Sequence, residues 1–292
     1  MTNTNAAPAD PPYPSPPPFS SPPPLPSPSP PPPEHERAVS VPSALRPWFT
    51  GIGAVTVDGP FDDAFAHVPD TDTKVVVREE ENGRRDTLLV GPRTRASYHK
   101  DLHKRSVSCV QLRLETGAVG PLFGVAAVDL VGRAVPLGDL PTGTSRRIAR
   151  ELTGVERDRI TARLADLLPP VGDGPRERLL RAAVDALSTR LYRTPAPVRE
   201  VARELAVSER QLRNLFADGV GVSPKHYARI DRLRHLLTHA ASAPWAELAA
   251  ATGYYDQSHM TADFRTLMGV PPRAFFTGRL PRATPCQALR QR

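Results

Sequence analysis

The sequence predicts an α+β chain: a disordered proline-rich tail, then a β-rich unit, then an all-α unit built by duplication. Three observations carry this. Proline is heavily over-represented, at 35 of 292 residues, and most of the excess lies before residue 48. Short runs rich in valine and leucine, separated by turn signals, fill residues 46 to about 140. Near the C-terminus, Phe216, Gly221-Val222-Ser223-Pro224 and Tyr227 return 48 residues later as Phe264, Gly269-Val270-Pro271-Pro272 and Phe275. A repeated supersecondary unit outranks any single residue as a guide to architecture.

Residues 1–45 hold Pro11-Pro12-Tyr13-Pro14, Pro16-Pro17-Pro18 and the run Pro30 to Pro33. Proline removes backbone donors, and few apolar side chains are there to bury. A disordered tail with polyproline II character is expected. Residues 46–142 read as a separate β-rich unit, expected to serve as a sensor or dimerisation domain. Ile52 to Val57, Lys74 to Arg78, Thr87 to Val90, Val107 to Leu114 and Val125 to Val131 are the candidate strands. Asp58-Gly59-Pro60, Glu81-Asn82-Gly83 and Gly91-Pro92 are the turn signals. In Val107 to Leu114, polar and apolar residues alternate as in a half-buried strand. Such spacing suggests a small antiparallel barrel or sandwich. Gly117 to Phe123 should turn helical.

Residues 143–194 read as a helical linker. Ser145 is a candidate cap for Arg146 to Leu152. Arg157 to Leu168 forms a second helix, ended by Pro169-Pro170. Glu177 to Tyr192 places Leu179, Leu180, Ala183, Leu187 and Leu191 at helical spacing, as an internal core stripe or a dimer seam.

Residues 195–280 hold the two repeated units, and 281–292 a flexible tail. In the first unit Val198, Val201, Ala202 and Leu205 line one helix, and Ala206-Val207 is a tight turn. Ser208 then caps a second helix, Glu209 to Phe216, buried through Leu212, Leu215 and Phe216. Arg210, Gln211, Arg213 and Asn214 point outward, the residue types that pair with guanine, adenine and phosphate, and Ser208 joins them as an expected DNA contact. In the second unit Trp245, Leu248, Ala249 and Thr252 line one helix and Gly253 makes the turn. Asp256 caps a helix whose outward residues are Gln257, Ser258, His259, Thr261 and Arg265. A first helix, a break and a second helix make the layout of a DNA-reading pair. Between the units, a helix from Pro224 to about Ala241 spans about 27 Å, which can set two recognition helices roughly one DNA turn, about 34 Å, apart. Lys225, Arg229 and Arg232 on it are the expected phosphate contacts, and Arg234 adds to its charge.

The formal charge of +7 and pI near 9.8 favour an acidic partner, of which nucleic acid is the commonest. Two cysteines, Cys109 and Cys286, make neither a zinc site alone nor a disulfide framework. No apolar run is long enough to span a membrane, and the start of the chain lacks a signal-peptide layout. A cytoplasmic location is expected.

Val198 to Phe276 resembles the C-terminal DNA-binding domain of AraC/XylS-family transcriptional regulators. The residues that carry the resemblance include Ala202, Leu205, Ser208, Leu212, Phe216, Gly221-Val222-Ser223-Pro224 and Arg232-Leu233. Ala249, Gly253-Tyr254, Asp256-Gln257-Ser258, Phe264-Arg265 and Gly269-Val270-Pro271-Pro272 complete it. The resemblance implies a seven-helix bilobal tandem helix-turn-helix domain with one recognition helix per lobe. Three features depart from the family pattern: Ala206 where glycine is common, His259-Met260 in place of an aromatic pair, and Asp231 and Asp263, which dilute the charge. They lower the expected strength of DNA binding, and the second lobe is expected to bind loosely. Further upstream, Arg113-Leu114, Gly117, Leu122-Phe123-Gly124-Val125, Leu130, Gly132-Arg133, Val135-Pro136-Leu137 and Asp139-Leu140 resemble the sensory domain of an actinobacterial-type group of these regulators. That resemblance implies a cupin-like or related β-rich effector domain.

A cupin-type metalloenzyme fused to a DNA-binding domain would draw ligands from His67, His99 and His103. Lys100, Lys104 and Arg105 beside them would repel a cation. The Pro-Cys-His-Arg motif of alkyl-transfer repair is absent, since Cys286 follows Pro285 but precedes Gln287. Neither a catalytic site nor a cofactor is expected. The sequence therefore predicts a sequence-specific regulator whose partner is double-stranded DNA. RNA polymerase and a small-molecule effector are further partners of that class, the oligomeric state is monomer or homodimer, and effector-independent DNA binding is the alternative.

Overall fold

The structure, a computed structural model, describes residues 37–57, 65–79, 85–100, 107–170, 174–191, 195–240 and 244–285. The chain opens with strands β1 (Arg37–Val39), β2 (Phe49–Val57), β3 (Phe65–His67), β4 (Lys74–Glu79), β5 (Arg85–Val90), β6 (Ser97–Lys100) and β7 (Val107–Leu114). Then come α1 (Val119–Phe123), β8 (Ala134–Pro136), α2 (Gly143–Leu152), α3 (Ile160–Leu167) and α4 (Pro175–Leu187). Six more helices follow: α5 (Val198–Glu204), α6 (Glu209–Gly219), α7 (Pro224–His239), α8 (Trp245–Ala251), α9 (Gln257–Met268) and α10 (Pro272–Phe276). A two-residue strand, β9 (Thr284–Pro285), closes the described chain.

Six strands form one antiparallel sheet in the order β1-β2-β7-β4-β5-β8. The alternation read in β7 is real: Val110, Leu112 and Leu114 are buried, while Cys109, Gln111 and Arg113 are half-buried. Register carries that face across the sheet, pairing Ile52 with Leu112, Leu112 with Val75, and Val75 with Leu89. The second layer is helical rather than a second sheet. Leu122 and Phe123 of α1, Ile148 and Leu152 of α2, and Ile160 and Leu164 of α3 share one core with these strand residues. The expected barrel or sandwich thus gives way to an open sheet covered by helices.

Several boundaries move. Arg37–Val39, placed in the tail by the sequence reading, pairs with Ile52 to Ala54, and Leu45 is fully buried. Residues 1–36 lie outside the described residues, as do two of the three expected turns and His103. The candidate strand Val125 to Val131 is a 3₁₀ turn, Ala127–Leu130, because its two buried residues are three apart and left-handed Gly124 and Gly132 bracket it. Thr142, not Ser145, caps α2: its hydroxyl accepts the Ser145 N–H at 3.1 Å. Ser145 is buried instead and donates to the Thr142 carbonyl at 2.7 Å. The 143–194 linker is divided between cores. Its α2 and α3 belong to the sheet, whereas Leu180, Ala183 and Leu187 of α4 pack with Val201, Leu212 and Phe216.

The β-rich unit docks on the helical one. A small sheet, β3-β6-β9, takes the C-terminal Thr284–Pro285, expected as flexible tail, as a parallel partner of β6. The Ala96 N–H donates to the Leu267 carbonyl at 2.8 Å, and the Tyr98 hydroxyl to the Met268 carbonyl at 2.6 Å. Burial pushes the Tyr98 phenol up to about 12, which keeps it a donor. Asp70, itself buried, takes Lys74 at 2.6 Å and Arg234 of α7 at 3.3 Å.

Burial alone would raise the Asp70 carboxyl, but Lys74 and Arg234 outweigh it and hold the pKa below 3.8. The stabilisation is therefore present above that ordinary value and is lost as pH falls through the lowered one. Asp70→Asn should cost about 1–3 kcal/mol near neutrality. Melting curves followed from about pH 7 down to about pH 2 should show the penalty shrink at the acid end.

Candidate nucleic-acid interface

The helical region is bilobal, and α7 is shared. Tyr227 near its start lies in the core of the first lobe, while Ile230, Leu233 and Leu236 lie in that of the second. Seven helices, α4 to α10, make up the two lobes.

In the first lobe α5 ends at Leu205, and the chain turns through Ala206 at φ 54°. It is the one non-glycine residue in that region among the described residues. The second lobe turns at the same point through Gly253, φ 77°. A Cβ is strained there, so the alanine carries a conformational cost that the glycine avoids. Next comes a reciprocal cap on α6. The Ser208 hydroxyl accepts the Gln211 N–H at 3.1 Å, and the Gln211 side-chain oxygen accepts the Ser208 N–H at 2.8 Å. Serine three residues before glutamine is the signature of this box, so the feature was legible in the sequence. Gln211, expected to read a base, spends its amide oxygen on the cap. Arg210, Arg213 and Asn214 are exposed on the same helix, with the Arg213 Nε donating to the Glu209 carbonyl at 3.3 Å.

In the second lobe the turn is one residue longer, which lets Tyr254 point inward while Tyr255 is 92% exposed. Asp256 caps α9 by accepting the His259 N–H at 2.7 Å. Gln257, Ser258, His259 and Arg265 are exposed and Thr261 half-buried; Met260 and Phe264 face the core. The His259 ring meets Tyr254 edge-on at 5.5 Å.

The expected phosphate contacts need correction. Lys225 is exposed at the start of α7, but Arg229 and Arg232 flank its buried stripe and turn into the second lobe. The Arg229 Nε donates to Asp263 at 2.7 Å, and the guanidinium of Arg232 lies 4.9 Å from the centre of the Tyr254 ring. The Tyr254 hydroxyl lies 3.3 Å from the other Asp263 oxygen; burial, then the Asp263 charge, pushes that phenol well up. The two aspartates read as diluting the charge are structural. Asp263 is buried, and Asp231 accepts the Thr189 N–H at 2.5 Å, tying the end of α4 to α7. Periodicity alone did not distinguish an arginine beside a buried stripe from one facing solvent.

Residues 201–278 match a family model described as a helix-turn-helix domain. They form an AraC-type helix-turn-helix domain. The arrangement is that of a DNA-binding transcriptional regulator. Among solved structures, the C-terminal domain of AraT, a response regulator from Geobacillus stearothermophilus, is similar over 37% of this chain and 92% of its own, at 22% identity and TM-score 0.33. ToxT from Vibrio cholerae is similar over 78% of this chain and 98% of its own, at 11% identity and TM-score 0.38. An unsaturated-fatty-acid-bound ToxT covers 80% of this chain and 98% of its own, at 14% identity and TM-score 0.36. No curated protein sequence matches the chain significantly. Among the described residues no helix is long and apolar enough to cross a membrane, and no group of three potential ligands is placed to hold a metal ion.

Two substitutions check this account of the AraC-type domain. Ala206→Gly should raise unfolding stability by about 1 kcal/mol by relieving the left-handed turn. Arg229→Ala should lower it by about 2–4 kcal/mol, because Asp263 would stay buried without its cation. Denaturant titration of the full chain measures both, and an unchanged midpoint for Arg229→Ala would remove the clamp from the argument.

Proposed function

We propose that the chain is a sequence-specific transcriptional regulator whose helices α6 and α9 enter successive major grooves on one face of double-stranded DNA. The observation that carries this reading is a pair of capped helices with exposed polar faces, joined by one helix that is buried in both lobes. That joining helix has 16 residues, a length of about 24 Å. With helix packing added at each end, its length suits recognition elements spaced by a DNA repeat of about 34 Å.

In this reading Arg210, Arg213 and Asn214 read base edges in one groove, while Gln257, Ser258, His259, Thr261 and Arg265 do so in the next. Lys225 meets phosphate. Gln211 contributes its amide N–H groups at most, since the carbonyl serves the cap. The β-rich unit acts as the sensor. Its contacts to the last turn of α9 and to Arg234 of α7 supply a route by which a small-molecule effector would bias the second recognition helix. Contact with RNA polymerase follows from the same role, and the chain acts as a monomer or a homodimer.

Selection from random duplex DNA with the full chain, at near-physiological salt, tests the reading. The expected result is a split motif with two boxes about 10 base pairs apart. A single box would leave α9 as a packing partner only, and no enrichment with or without candidate effectors would overturn the reading. On the selected site, Arg210→Ala should cost about 1–3 kcal/mol and relax preference at one position only.

A further inference from the structure

Beside the second recognition helix lies an open groove of about 820 Å³. One wall is the outward face of α9, Gln257, Thr261 and Arg265 with Ser258 and Ala262 next to them. The other side is marked by a residue from a different part of the chain, Arg95, on the loop between β5 and β6. We propose that Arg95 is a DNA-backbone contact, so that the β-rich unit itself forms part of the nucleic-acid interface. This rests on the regulator reading above and deepens it.

Position is the first support. Arg95 is exposed and borders the same face of α9 that carries the candidate base-reading residues. A duplex lying against that face would bring its phosphates to the groove's rim. The loop also sits close to the first turn of α7: the Thr94 backbone and the Arg95 charge both act on His226, after its burial and Arg229.

Charge is the second support. Among the described residues, the charged ones lining the groove are Arg95 and Arg265, both cations. A groove so lined repels a further cation and favours an anion, and an arginine fork fits the oxygens of a phosphate. Among the described residues, no carboxylate lines the groove.

Rigidity is the third. Arg93 and Asp70 exchange backbone hydrogen bonds at 2.7 and 2.8 Å, and Ala96 donates to Leu267 at 2.8 Å. Two residues further on, the Tyr98 hydroxyl bonds the Met268 carbonyl at 2.6 Å. The backbone at Arg95 is therefore held between two anchors, one in its own unit and one on α9, so that binding has only the side chain left to order. One consequence is direct coupling. Any displacement of this loop from α9 withdraws a phosphate contact without altering a single residue of the AraC-type domain.

The test uses the full chain, its selected site and fluorescence anisotropy at several salt concentrations. Arg95→Ala should weaken binding about tenfold at low salt, equally for strong and weak sites. It should also reduce the slope of log affinity against log salt by about 0.9, the release expected for one phosphate contact. Arg95→Lys should recover most of the affinity, and Arg95→Glu should bind more weakly than the alanine variant. The melting temperature of each variant shows whether the fold is intact. Unchanged affinity and slope in Arg95→Ala would overturn the inference, and tighter binding would overturn it too by making the loop an obstruction. If the unaltered chain binds no DNA, the regulator reading fails and the inference with it.

Discussion

Asp263 carries a negative charge inside the second lobe, and that charge must be neutralised where it sits. Arg229 from α7 does so, and the Tyr254 hydroxyl lies beside the other oxygen. Removing a carboxylate from water is costly unless it is paired and hydrogen-bonded, so the geometry of these groups is tightly constrained. Asp263 lies on α9, Arg229 on α7, and Tyr254 in the turn between α8 and α9. A single buried carboxylate thus ties together α7, the turn and α9. Arg232 over the Tyr254 ring extends the same cluster along α7. The placement of α9 against α7 rests on this cluster as well as on the apolar core beneath it.

The two repeated units solve one problem in different ways. Both need a sharp turn and a helix start whose first N–H groups are satisfied. The first lobe accepts a left-handed alanine and a reciprocal Ser208–Gln211 cap. The second uses glycine at the turn and a lone aspartate cap, and inserts one more residue. That insertion brings Tyr254 inward, and the second lobe's polar cluster depends on it. The departures expected to weaken this lobe, Asp263 in α9 above all, are therefore parts of its internal support.

Docking of the β-rich unit adds a further constraint. Its contacts to α9 include backbone groups and one tyrosine, and its contacts to α7 include the Asp70–Arg234 pair. A Cβ on left-handed Gly221, in the turn between α6 and α7, would come within 2.8 Å of the Ala127 carbonyl oxygen. Close approach at that glycine and ion pairing at Arg234 hold the β-rich unit against the helical one at two places. The outward face of α9 is bordered by this second unit and is not the property of the repeated helices alone.

Much of the molecule was legible in the chain as written. The duplication, the helix starts at Ser208 and Asp256, the alternation in β7 and the buried Phe216 and Phe264 all depend on residues close together in sequence. Turns, caps and amphipathic periodicity are set by neighbours within a few positions, so sequence alone determines them. The pairing of Arg37–Val39 with β2, the return of Thr284–Pro285 to β6, the inward turn of Arg229 and Arg232, and the position of Arg95 beside α9 were not legible in this way. Each joins residues far apart in the chain, and an arginine looks the same in sequence whether its partner is a phosphate or a buried aspartate. Only the tertiary structure, by bringing Asp263 under α7 and the β5–β6 loop against α9, decided which cations face inward and which face solvent.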